Sequence, residues 1–206
     1  MLYRNLLTLP VVLAVLGSTL PAVAIPSEIF TSQLPEIQQN LPLGYGMRLP
    51  DQIRLGNGSD AYGGKLRDLL SKLIVRLFPS TTPRGLTVGL FTCETAAQPC
   101  LVGTFSVDSP DAVSTVHEFS KHKTTGNVIS LSKDIQGYFL DGSLQNPQLP
   151  FSSLMWRQDG LIHTISFPVK ERQNILLMGY SMVHQPPIRH TYAKLKRLDP
   201  VFSLVK

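Results

Sequence analysis

The sequence predicts an α+β domain, an antiparallel sheet of about six strands built from hairpins with about three helices packed on it. Three observations carry that expectation. Short β-type runs are separated by turn residues, too few for the dozen or so that a parallel crossover needs. An Asp159-Gly160 step stands between two such runs, a strong short-range hairpin signal because Gly supplies the positive φ of the turn. Other segments place apolar residues at helical spacing, as a helix with one buried face does.

The chain opens on Met1-Leu2-Tyr3-Arg4-Asn5, with one positive charge and no acid. An apolar run from Leu6 to Leu16 follows, broken by Thr8 and Pro10, and then Gly17 to Pro21 and Ala22-Val23-Ala24. A basic start, a short apolar centre, a breaker and a small-x-small end are the layout a signal peptidase reads. Residues 1–24 are therefore expected to be a signal peptide, cut between Ala24 and Ile25. A transmembrane anchor would need about 20 uninterrupted apolar residues. No later segment offers them, so no stable anchor is expected after cleavage, and the chain reads as exported.

Cleavage removes one charged residue, Arg4, from a chain with formal net charge +5. A mildly basic protein is weakly attracted to an anionic membrane surface or an acidic polymer, although charge bears on association and not on fold. Nucleic-acid binders concentrate Lys and Arg. Here they are scattered, apart from Lys121-His122-Lys123 and the group at Lys194, Lys196 and Arg197. Both groups read as solvated surface, and no nucleic-acid partner is expected.

Residues 25–62 are rich in Pro, Gly and Gln and lack helical periodicity, so they are expected to be extended or loosely ordered, the looseness greatest over 25–40. Leu41 to Pro50 reads as extended chain that adds at most an edge strand, because its prolines exclude a central one. A short strand is expected at 52–55 and a turn at 56–59.

A single α+β domain is expected over 63–188. Leu66, Leu69, Leu70, Leu73, Ile74 and Leu77 recur at helical steps with charged residues between them, and Pro79 would end that helix. Next come two strand-like runs, 86–92 and 101–107, joined by a loop flanked by Cys93 and Cys100. Closing that hairpin sets the two Cβ atoms opposite each other, and in an oxidising compartment the pair is a disulfide. A redox pair would have two residues between its cysteines, and a zinc site lacks partners here.

Ser109-Pro110-Asp111 opens the second helix, with a Ser cap, Pro at the first position and an acid near the positive end. It should run to about Lys123, stop at Gly126 and bury Val113, Val116 and Phe119. Strands are expected at 127–132 and 136–140, around a turn at Lys133-Asp134. The clearest hairpin pairs 153–157 with 161–167. A third helix, 169–183, is almost wholly apolar after Ile175 and stops at Pro186-Pro187. Residues 189–206 form a basic tail, left open between packing and fraying.

No constellation of catalytic residues is complete. Ser120-Lys121-His122-Lys123 and Ser130-Leu131-Ser132-Lys133 each match S-x-x-K, but a Ser-rich chain offers such matches by chance and the companion elements are missing. His117 and His122 are five apart on a helix and face different ways, whereas the metal-binding step is four. Glu118 and His122 are four apart and could pair at the surface. His163 lies mid-strand, and His184 and His190 flank the Pro-Pro stop. Met178, Met182 and His184 suggest a soft-metal trio, yet methionine on an apolar helix is by default core filling, as is Trp156 in its hairpin. No cofactor or metal is assigned.

The run from Phe151 to Ile165, followed by Glu171-Arg172-Gln173-Asn174, resembles an uncharacterised family of small exported cyanobacterial proteins. Leu90 to Cys93 and Cys100 to Gly103 fit the same resemblance, which spans most of 41–188. The Trp-containing strand, Asp-Gly turn, second strand and closing helix are also distantly similar to unknown-function domains outside bacterial membranes. The resemblance implies an α+β fold in the periplasm or thylakoid lumen and transfers no catalytic residue.

Three functional expectations follow. The first is a non-enzymatic exported binding or accessory domain with an envelope protein partner or other ligand. The second is a carrier of a hydrophobic small molecule or lipid, using the apolar faces of 66–77 and 175–183 as a lid. The third is an envelope hydrolase using His117, Glu118 or His122.

Overall fold

The computed structural model describes residues 26–56, 70–94 and 100–190. The expected signal peptide with its Ala24–Ile25 bond, residues 64–69 of the first expected helix and all of the basic tail beyond His190 lie outside the described residues.

Seven strands form one sheet: β2 (Ile74–Thr81), β3 (Arg84–Phe91), β4 (Leu101–Asp108), β5 (Asn127–Ser130), β6 (Gln136–Leu140), β7 (Phe151–Gln158) and β8 (Leu161–Pro168). Their order is β2-β3-β4-β8-β7-β6-β5, and every neighbouring pair is antiparallel. The architecture is α+β as expected, with one strand more. That strand is a correction. Helical spacing placed Ile74 and Leu77 on a helix, but the helical turn at Leu70-Ser71 gives way to β2 at Ile74. Ile74-Val75 and Phe78 are β-branched or aromatic, and eight residues of β2 pair in unbroken register with β3, from Ile74↔Phe91 to Thr81↔Arg84. A ladder of that length outweighs an intrinsic preference worth a few tenths of a kcal/mol per residue. Pro79 fits because β2 is an edge strand, where a missing N–H costs no sheet bond.

The expected Asp-Gly hairpin is β7–β8. Asp159 and Gly160 have φ of 53° and 77°, and Gln158 pairs with Leu161. This is the mirror-image turn whose twist matches that of the strands. Cys93 and Cys100 are disulfide-bonded just beyond the Phe91↔Leu101 pair, their Cα atoms 5.5 Å apart.

Residues 26–56 depart most from expectation. They are not loosely ordered: a 3₁₀ turn (Glu28–Gln33) and helix α1 (Leu34–Asn40) bury Phe30 and Ile37 completely, and Phe30 meets Phe105 edge-on at 5.8 Å. β1 (Gly46–Met47) then pairs with β9 (Ile188–Arg189) in a separate two-stranded ribbon. The short strand expected at 52–55 is absent, and Ile53 is buried without strand pairing. This strap belongs to the core of the domain, because Met47, Leu49 and Ile53 join Leu86, Phe105 and Ile165 in one apolar cluster. Its end is tied by Glu171, whose Oε2 accepts from Gly56 N (2.8 Å) and Asn174 Nδ2 (2.7 Å).

Two further helices lie on opposite faces of the sheet. α3 (Arg172–His184) buries Ile175, Met178, Met182 and Val183. A Cβ added at Gly179 would collide with Leu154 and approach Ile165, so α3 is seated directly on β7 and β8. α2 (Val113–Thr125) covers the other face over β5, β6 and β7. Ser109 is not its cap, since the helix begins after Ala112. Its buried stripe also differs from expectation. Phe119 does face the sheet, but Val113 and Val116 are 86% and 49% exposed, and Thr115 and His122 take their place.

Candidate functional site

α2 rests on a polar part of the sheet, and a cleft opens along its C-terminal half. Phe119 and Lys123, four apart, share one helix face. Gln136 and Tyr138, two apart on β6, share one sheet face. Tyr138 pairs with Met155, so Arg157 projects from the same face two residues further along β7. Lys133 and Asp134 come from the tight β5–β6 connection, which Leu131 N→Ile135 O closes at 3.0 Å. Together these seven side chains line a cleft of about 380 Å³.

The rings of Phe119 and Tyr138 meet edge-to-face at 5.5 Å, and Lys123 Nζ lies 5.9 Å from the Tyr138 ring centre. Among the described residues Lys123, Lys133 and Arg157 form no ion pair, although Asp134 shares the cleft. All three are solvent-exposed, and grouped around one opening they make a local positive field. The floor is aromatic, and Asp134 and Gln136 add hydrogen-bonding groups. This set can bind an anionic ligand.

His122, one residue before Lys123, points inward. Its Nδ1 lies 2.8 Å from the Glu118 carbonyl oxygen and its Nε2 2.7 Å from Ser153 Oγ. A carbonyl only accepts, so Nδ1 carries the proton and Nε2 accepts from the serine hydroxyl. Burial lowers the His122 pKa, against the Glu118 carbonyl and carboxylate that raise it; Lys121 lowers it further. The surface pair expected between His122 and the Glu118 carboxylate is replaced by this backbone bond. A serine donating to a histidine also occurs in nucleophilic sites. Here the histidine is 3% exposed between helix and strand, and the bond pins α2 to β7.

A second polar cluster lies under the Asp159-Gly160 turn. His163 is fully buried, and neither ring nitrogen has a hydrogen-bond partner. Burial, and secondarily the Arg48 guanidinium, push its pKa down to about 4. The Asp159 carboxylate acts in the opposite sense, as does the Gln158 backbone, which falls short of hydrogen-bond geometry. Arg48 Nη2 binds Asp159 Oδ2 at 2.7 Å and Nη1 donates to the Gln185 carbonyl, which fastens the strap to the hairpin. Trp156 Nε1 donates to Gln158 Oε1 (3.2 Å), whose amide donates to Val183 O (3.1 Å). The cluster joins the strap, the hairpin and the end of α3, with His163 and Arg48 buried and Asp159 45% exposed at its edge.

The remaining candidates are dispersed. His117 and Glu118 are exposed on α2, and only His117 is turned well away from His122. Ser120 and Ser130 are exposed, and Ser130 Oγ donates to Ser132 O. Met178 and Met182 are in the core, while His184 is exposed and tilted against Tyr180 at 4.6 Å, so the trio does not converge. His190 Nδ1 contacts the Leu41 carbonyl at 2.7 Å. Sequence reasoning did not find the cleft: Lys123 was visible only as part of a basic triplet, and nothing local links Phe119 to Lys133 or Arg157. The one available signal was Phe119 and Lys123 at helical spacing, ahead of the Lys133-Asp134 turn. No family model, curated protein or solved structure matches the chain.

Proposed function

We propose that this chain is a non-enzymatic exported binding or accessory domain whose ligand-contacting surface is the cleft between α2 and strands β6 and β7. The observation that carries the reading is the group Lys123, Lys133 and Arg157, held around an aromatic floor without ion-pair partners. The Cys93–Cys100 disulfide is compatible with an oxidising compartment, and no helix of the described residues is long and apolar enough to cross a membrane. The signal-type N-terminus and the resemblance to exported cyanobacterial proteins support periplasm or thylakoid lumen.

The test is recovery of the protein from its native envelope, for the natural chain and for Arg157→Gln/Lys133→Gln, with native mass spectrometry of each. The reading expects a bound mass or partner that the double variant loses while its melting temperature is unchanged. Equal retention by both proteins places binding elsewhere.

A further inference from the structure

The cleft has a composition more specific than a basic patch. We infer that it takes an acidic saccharide, a sugar ring carrying a carboxylate, phosphate or sulfate. This rests on the reading that the cleft is the ligand-contacting surface.

Three features point to that chemistry. Lys123, Lys133 and Arg157 approach from the helix, the turn and the strand, and so supply charge-assisted bonds to an anionic substituent. Between them, the Phe119 and Tyr138 rings, set edge to face at 84° with Lys123 beside Tyr138, supply the aromatic contact for the C–H side of a sugar ring, as ligand sites combine apolar walls with a few orienting polar groups. Asp134 is the discriminating residue. In a site for a bare anion, or for a nucleic-acid backbone, a carboxylate among the cations repels the ligand. A sugar offers hydroxyl donors beside its anionic group, and Asp134 and Gln136 are the acceptors that meet them. The volume of about 380 Å³ lies within the range of small-molecule sites.

The experiment is titration of the full chain by NMR and calorimetry with three acidic probes: a galacturonate trisaccharide, a hexose phosphate and a sulfated disaccharide. Controls are the methyl-esterified trisaccharide, inorganic phosphate and a single-stranded oligonucleotide. The inference expects at least one acidic saccharide to bind with shifts at Tyr138 and Arg157, and the esterified control to bind at least tenfold more weakly. Arg157→Gln and Tyr138→Ala should each weaken it about tenfold. Asp134→Ala is decisive, because it weakens binding of an acidic sugar and strengthens binding of a bare anion. If phosphate or the oligonucleotide binds as well as the saccharides and Asp134→Ala tightens them all, the saccharide assignment falls and an anion cleft remains. If no probe shifts the cleft and Arg157→Gln/Lys133→Gln retains its envelope partner, the assignment and the cleft reading both fall.

Discussion

The imidazole of His163 stacks on the indole of Trp156, with ring centres 5.4 Å apart and planes 16° from parallel. The register of the Asp-Gly hairpin sets this pair opposite each other, so a two-residue turn at the surface places a titratable ring in the middle of the core. The first two predictions come from this pair and its neighbours.

His163 should make the protein acid-sensitive. Its folded pKa of about 4 lies below the unfolded value of 6.5, so between these limits the unfolded chain binds the extra proton. Its share of stability is complete above pH 6.5 and is lost as pH falls through about 4, a change of about 3 kcal/mol. His122, also lowered, adds in the same direction. Asp141 and Asp159, held low by Ser143 and Arg48, lose their contributions at more acid pH, while half-buried Asp108 is raised by desolvation and works the other way. Urea unfolding of His163→Phe should show little change at pH 7, since no hydrogen bond is lost, and a shallower fall towards pH 4. An unchanged slope would exclude His163 as the titrating group.

Asp159→Asn keeps the turn, because Asn-Gly is equally suited to it, and removes the charge facing Arg48. Asp159 is nearly half exposed, so solvent screening limits the cost to about 1 kcal/mol. The loss of that carboxylate should also move the His163 titration lower, which imidazole NMR would read. A rise would show that Arg48 and Asp159 do not act on His163 as the geometry requires.

Ser153→Ala should cost about 1–3 kcal/mol by leaving the Nε2 of buried His122 unsatisfied. The thermal midpoint measures it. If a folded Ser153→Ala protein instead loses a measurable esterase turnover, the serine is a nucleophile and the hydrolase expectation returns.

Gly103 lies against the ring of Phe167, which Phe105 backs at 5.5 Å, so a methyl group there has no place to go. Gly103→Ala should lower stability by about 1–3 kcal/mol, and Phe167→Leu in the same chain should recover part of it. Additive losses in the double variant would show that the two positions do not press on each other.

The disulfide closes only a short loop, and its removal by Cys93→Ser should cost about 2 kcal/mol. Calorimetry supplies the value, and mass spectrometry of the natural chain should find two hydrogens fewer than the reduced form. A melting temperature unaffected by the substitution would mean that the β3–β4 pairing already fixes the loop.

The parts read correctly from sequence are those with local causes. Asp159-Gly160 dictates its turn within four residues, and the register of Trp156 against His163 follows from it. The cysteines flanking one loop could hardly pair elsewhere, whereas the apolar run from Ile175 to Val183 is buried on one face only, with Leu177 and Tyr180 40% and 57% exposed. α2 shows where local reasoning stops. Its most apolar stripe, through Val113 and Val116, faces outward because the surface it meets is polar: Ser153 receives His122, and Tyr138 receives Phe119.

What the sequence determined by itself is thus the α+β class, the hairpins from β3 onward, the disulfide and the presence of α3. Tertiary structure alone decided that Ile74–Thr81 is a strand, that residues 26–56 close the core, and that Phe119, Lys133 and Arg157 share a cleft. The reason is one of range. Turns and loop closure are governed by neighbours a few residues away, whereas an edge ladder, a strap and a cleft are sums of contacts between residues far apart in the chain. No local pattern carries those sums.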